Sequence, residues 1–171
     1  MRSYWRVTFF RMPAKRQYLL VDGYNVAHSW PDIRKMLERD VDSAAALLVE
    51  RLAVLHDAEA CEVTIVFDGR GERVELQRHG GANAPCVIYA PAGVSADAII
   101  EQIVNRAPDA DDFTVASRDN ALCLSVFSCG AHTITPDELL DRVRRERNAL
   151  GKALRERTRE TDRNFGNRLF G

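Results

Sequence analysis

Tyr18-Leu19-Leu20-Val21-Asp22-Gly23-Tyr24-Asn25 is the stretch that decides the fold. Tyr18 to Val21 form an apolar run of strand length with no polar residue to face water, as expected of a strand covered on both faces of a parallel sheet. The run stops on an acid and a glycine. Val63-Thr64-Ile65-Val66-Phe67 repeats the pattern and stops on Asp68-Gly69. Cys86 to Tyr89 and Phe113 to Ala116 read as two more core strands, and Ala131 to Ile134 as a short last one. Val74 to Arg78, bracketed by glycines 69, 71, 80 and 81, reads as an edge strand or a loop.

Helical patterns fill the intervals. Pro31 to Arg39 reads as a short helix. Val41 to Ala60 reads as a long one, with Leu47, Leu48, Leu52 and Leu55 as its apolar stripe. Ser95 opens a helix that runs to Arg106 and turns Ile99, Ile100, Ile103 and Val104 inward; Asp119 to Phe127 forms another, closed by Gly130. Thr135-Pro136-Asp137-Glu138 spells a helix start, with Thr as N-cap, Pro at the first position and Glu at the third for a capping box. Leu139, Val143, Leu150 and Leu154 follow as its apolar positions, with Gly151 as a weak point. Strand–helix alternation of this kind implies parallel strands joined by right-handed crossovers, hence one α/β domain with helices on both faces of a mostly parallel sheet.

The 171 residues suffice for one domain burying roughly 70% of the surface of its unfolded chain. With 46% hydrophobic and 29% charged residues, the composition excludes a disordered, collagenous or disulfide-scaffold chain. The formal net charge of −1 conceals an uneven distribution. Residues 1–17 carry +5 with no acid, residues 18–137 carry −10, and residues 138–171 carry +4. The chain therefore divides into a basic N-terminal extension over 1–17, a domain over 18–160 and a tail over 161–171. Met12 is an alternative start, which would leave 1–11 as a mis-annotated extension.

Cys61, Cys86, Cys123 and Cys129 form no CxxC pair and no zinc-type spacing with histidine; three lie in apolar runs, which predicts buried, reduced side chains. No stretch is long and apolar enough to span a membrane, and the N-terminus lacks a signal-peptide core. A cytoplasmic protein is expected.

In sheets of this class, ligands bind beyond the carboxyl ends of the strands. The predicted strand exits carry Asp22, Asp68, Asp97 (in Ser95-Ala96-Asp97) and Asp119 (in Ser117-Arg118-Asp119). Singly, each has an ordinary reading as a turn or first-turn acid. Together they would repel one another without a counter-ion, and a hard divalent cation, Mg²⁺ or Mn²⁺, is the natural one. Such a site suits phosphodiester hydrolysis by metal-activated water, with the basic ends tracking phosphates.

These residues, with Val66-Phe67-Asp68-Gly69, Ile100-Glu101 and Asn25, resemble the YacP-like branch of the NYN-domain family, within the PIN-like nuclease superfamily. The resemblance covers about residues 16–160. It implies a PIN-like three-layer sandwich and endoribonuclease activity on RNA, with bacterial members linked to mRNA cleavage on ribosomes. Asp22, Asp97 and Asp119 match the acidic metal-site positions, Asp68 the acid ending the second strand, and Asn25 the asparagine that steadies the first loop. Glu101, one helical turn after Asp97, is a further metal-side candidate. Two positions depart from the family: Ala98 stands where a second acid is frequent, and Arg118 where Ser or Thr is usual. Arg118 would either pair with Asp119 or face outward to an RNA phosphate. Asn25, Arg70, Arg144 and Arg145 are further RNA-side candidates; the ribosome is a candidate partner, and DNA is not among the expected ones. A non-catalytic RNA- or ribosome-binding module on the same fold is the alternative.

Overall fold

The computed structural model describes residues 17–58, 61–69, 71–78 and 84–169, with side chains described as far as Thr161. The N-terminal extension, Arg70 and the last aromatic residue, Phe170, lie outside the described residues. The elements in chain order are β1 (Tyr18–Asp22), α1 (Gly23–Ser29), α2 (Pro31–Leu37), α3 (Val41–Ala58), β2 (Glu62–Phe67), β3 (Glu75–Gln77) and β4 (Cys86–Tyr89). They continue with α4 (Ala96–Asn105), a single 3₁₀ turn (Ala110–Asp112), β5 (Phe113–Ala116), α5 (Asn120–Ser128), β6 (His132–Ile134) and α6 (Pro136–Leu169). The strands form one sheet in the order β3-β4-β2-β1-β5-β6. All neighbours are parallel except β3, which lies antiparallel on β4 and so resolves Val74 to Arg78 as an edge strand.

Alternation of side chains along the strands divides the core in two. Leu19, Val21, Ile65, Phe67 and Ala116 face a layer that includes α1, α2, α3 and the start of α6, whereas Leu20, Val66, Ile88 and Val115 face α4 and α5. The three-layer α/β sandwich expected from the sequence is present. Leu48, Leu52 and Leu55 of α3 are fully buried, each worth about 1.5–3 kcal/mol of transfer free energy.

The capping box at residue 135 forms as read. Glu138 accepts from the backbone N–H of Thr135 at 2.7 Å and from its hydroxyl at 2.9 Å, and the Glu138 N–H donates back to Thr135 Oγ1 at 3.2 Å. Thr135→Ala is expected to cost about 1 kcal/mol. It should lower the melting temperature by about 2–4 °C in a thermal scan.

Two expectations are revised. Gly23 starts a helix, not a turn, because Asp22 caps it and accepts from the N–H of Asn25 at 3.4 Å. Only two cysteines are buried, Cys61 and Cys86; Cys123, on α5, is half-buried, and Cys129, which caps the end of that helix, is exposed. Helix α6 runs without interruption from Pro136 to Leu169, since no proline breaks it after its first position. Among the described residues no helix is long and apolar enough to cross a membrane.

Candidate active site

The pleat determines which strand-exit side chains meet. Leu20 faces the α4/α5 layer, so Asp22, two residues on, faces it too; the same parity sends Asp68 after Val66 and Ser117 after Val115 to that layer. Both helices of the layer begin at this edge. Asp97 sits in the first turn of α4, and Asp119 is the N-cap of α5, accepting from the N–H of Leu122 at 2.9 Å. Strand order reverses between β1 and β5, which makes this the switch-point crevice where ligands of open α/β sheets bind.

Asp22 is the centre of the cluster and is 7% exposed. The Ser117 hydroxyl donates to its Oδ2 at 3.0 Å and itself accepts from the Asp119 N–H at 3.1 Å. Burial pushes the Asp22 carboxyl up to about 6; the Ser117 hydroxyl opposes the shift and the nearby Asp97 charge adds to it. The two carboxyl groups lie next to each other at this edge. Asp97 is raised as well, first by burial and then by Asp119, with Asp68 and Glu101 contributing further repulsion. The half-buried thiol of Cys123 donates to the Ser117 carbonyl at 3.6 Å, and burial, with Asp119, Asp22 and Asp97 nearby, pushes its pKa up.

Asp68 is exposed, and its Oδ1 accepts from the Ala96 N–H at 2.7 Å at the start of α4, so it holds the helix in place with one oxygen. Asn25 is part-buried. Its Oδ1 accepts from the backbone N–H of Arg118 at 2.7 Å and ties α1 to the β5–α5 turn. Arg118 pairs with Asp137 rather than with Asp119: its side chain donates to the Asp137 carboxylate at 3.0 Å, at the start of α6, and remains more than half exposed. Arg145 is exposed on α6, and so is Arg144, whose guanidinium lies 3.5 Å from Asp141.

The two Asp-Gly pairs have a reason other than turn geometry. A Cβ at Gly23 would collide with the Phe67 ring, and one at Gly69 with the Ala90 carbonyl oxygen. Positive φ occurs at neither glycine. Ser117 carried no role in the sequence reading, although a small hydroxyl residue two positions before a strand-exit Asp was its signal.

The donor set is all carboxylate oxygen, the chemistry a hard cation requires, and a charge-repelling pair at a buried position suits one. Among the described residues, no three His, Cys, Asp or Glu side chains converge into a ready-made metal cage. Mg²⁺ characteristically takes only one or two carboxylates and keeps several waters, and the Asp22–Asp97 pair meets that requirement.

An α/β sandwich with an acidic switch-point crevice is the class that fold and site define. The chain belongs to the YacP-like NYN domain family, which is matched over residues 19–170, and its fold is that of the PIN-like nucleases. It is 26% identical over 143 residues to the uncharacterized protein YacP of Bacillus subtilis (strain 168), covering 83% of this chain and 84% of that one. The crystal structure of a mutant of Rae1 (YacP) from Bacillus subtilis superimposes with a TM-score of 0.69 at 26% identity, covering 83% of each chain. A second crystal structure of Rae1 (YacP) shares the fold with a TM-score of 0.70, at 24% identity over 86% of this chain and 85% of that one.

Proposed function

We propose that the chain is a metal-dependent endoribonuclease that hydrolyses RNA phosphodiester bonds, with mRNA as its substrate and the ribosome as a candidate platform. The observation that carries the reading is the buried Asp22 carboxyl pressed against Asp97, with Asp68, Asp119 and Glu101 raising the local negative charge. Such a site is costly for folding and is explained by a ligand that offsets the charge. Asp22 and Asp97 would hold Mg²⁺ or Mn²⁺, with Asp119 and Glu101 beside them. Bound there, the cation would supply a nucleophilic water at neutral pH and offset charge on the leaving oxygen.

The chain's own residues arrange the rest. Ser117 fixes the Asp22 carboxyl through Oδ2 and the Asp119 backbone through its N–H. Asn25 locks the Arg118 backbone, and Asp137 holds the Arg118 guanidinium at the rim of the crevice, where it can meet a phosphate. Four free thiols accord with a reducing compartment, the cytoplasm.

A second reading, an RNA-binding module without catalysis, draws on Ala98 in place of a second acid and on the capping bonds of Asp68 and Asp119. One experiment separates them: incubate the chain with mRNA in Mn²⁺ or in chelator, with and without ribosomes, alongside Asp97→Asn. Cleavage should need the cation and fall at least about a hundredfold in the variant, the scale on which one electrostatic group acts. RNA binding with no cleavage under any condition would support the second reading.

A further inference from the structure

Helix α6 is 34 residues long, and its packing against the core ends early: Leu139 and Val143 are buried, whereas from Arg147 to Thr161 every residue except Gly151 is exposed. At 100° per residue, Arg144, Arg145, Lys152, Arg155 and Arg159 fall within an arc of about 100° on the side opposite Leu139 and Val143. All five are exposed. Glu146, Glu156 and Glu160 fall outside that arc, as do Arg142, Arg147 and Arg157, so the ridge gathers five bases while the other faces stay mixed. Asp137 and Asp141, in the first two turns at the foot of the ridge, are the acids on this face among the described side chains; Asp137 pairs with Arg118, and Asp141 lies 3.5 Å from Arg144.

From Arg144 to Arg159 the ridge extends about 22 Å, and it begins about 12 Å along the axis from Pro136. That first turn adjoins the crevice, because Asp137 holds Arg118 beside Asp119. We infer that this ridge binds the phosphate backbone of a double-helical RNA segment without regard to sequence. Resting on the RNA reading of the crevice, the inference gives the substrate a second point of attachment on a folded region away from the scissile bond. A straight, stiff row of cations fits the regular phosphate rows of an A-form helix, which proteins recognise through shape and backbone contacts. A flexible single strand offers no such fixed row.

The test measures binding of the full chain without divalent cation, so that no cleavage is required. The probes are an RNA duplex of about 16 base pairs or more, a single strand of equal length, and vesicles rich in anionic lipid. The variant combines Arg145→Gln, Lys152→Gln, Arg155→Gln and Arg159→Gln; glutamine keeps nearly the same helix propensity, which circular dichroism checks. The wild type should prefer duplex over single strand. In the variant, duplex affinity should fall at least about tenfold at low salt, and the log–log salt slope should shrink by about 3 to 4, near 0.9 for each phosphate that is no longer neutralised. Glu156→Gln with Glu160→Gln should strengthen duplex binding. An unchanged affinity and slope in the four-residue variant, equal binding of single strand, or a ridge that selects vesicles over RNA overturns the inference. A chain that binds duplex through the ridge yet never cleaves leaves it intact and refutes only the nuclease reading.

Discussion

Asp22→Asn is expected to abolish RNA cleavage and, in the same molecule, to raise the thermal stability of the metal-free protein. The two effects have one cause. At neutral pH the native state carries an ionised Asp22 in a buried site beside Asp97, and a rise in its pKa from 3.8 to about 6 corresponds to on the order of 3 kcal/mol of lost stability. The amide introduced by Asp22→Asn keeps an oxygen to accept from Ser117 and gains an N–H that can donate to Asp97, so the charge is removed without stranding a polar group. Between pH 3.8 and about 6 the folded wild type holds a proton that the unfolded chain has already released, so wild-type stability falls as pH rises through that window. Below the window both states are protonated, and above it both are ionised, leaving the penalty constant. In the variant this decline should be reduced to the smaller part that comes from Asp97, whose carboxyl is raised in the same direction. Mn²⁺ should raise the melting temperature of the wild type and not that of the variant, because a ligand stabilises only the state that binds it. A lower melting temperature for metal-free Asp22→Asn at pH 7 would show that the carboxylate is not under electrostatic stress.

How far the site could be read from the sequence depended on the range of the interaction that forms each part. The strands, α3, α4 and the capping box rest on local runs and spacings, and all were legible. So was the gathering of Asp22, Asp97 and Asp119 at one edge, because parallel topology delivers every strand exit to the same end of the sheet. What escaped depends on tertiary proximity. Gly23 and Gly69 read as turn glycines, but they are small because Phe67 and the Ala90 backbone lie against them, a constraint set by neighbouring elements. Ser117 is inconspicuous until β1 and β5 pair and bring it onto Asp22, 95 residues away. Arg118 takes Asp137, 19 residues on, as its partner instead of Asp119, a pairing that no local spacing announces. The charges of α6 looked mixed along the chain; only the helical projection gathers five of its bases into one ridge.

Trp30→Ala should cost the fold about 3–5 kcal/mol, the range for deleting a fully buried aromatic ring from a packed core. Trp30 joins two seven-residue helices, each too short to be stable alone. It is wholly buried, and its Nε1–H donates to the carbonyl of Pro136 at 2.8 Å across 106 residues of sequence. One side chain thus fastens α1, which Asp22 caps and which carries Asn25, to the first turn of α6, where Asp137 holds Arg118. Trp30→Phe retains most of the apolar packing and loses the indole hydrogen bond, so its cost should be nearer 1–2 kcal/mol. The Pro136 carbonyl can still accept from within α6, which limits the damage in that variant. Urea denaturation of the three proteins measures both terms: the alanine variant should move the midpoint by more than about 1 M, with the phenylalanine variant between it and the wild type. If Trp30→Phe is as destabilising as Trp30→Ala, the hydrogen bond rather than the ring volume carries the joint; if both are near wild type, Trp30 is not what ties the first helices to α6.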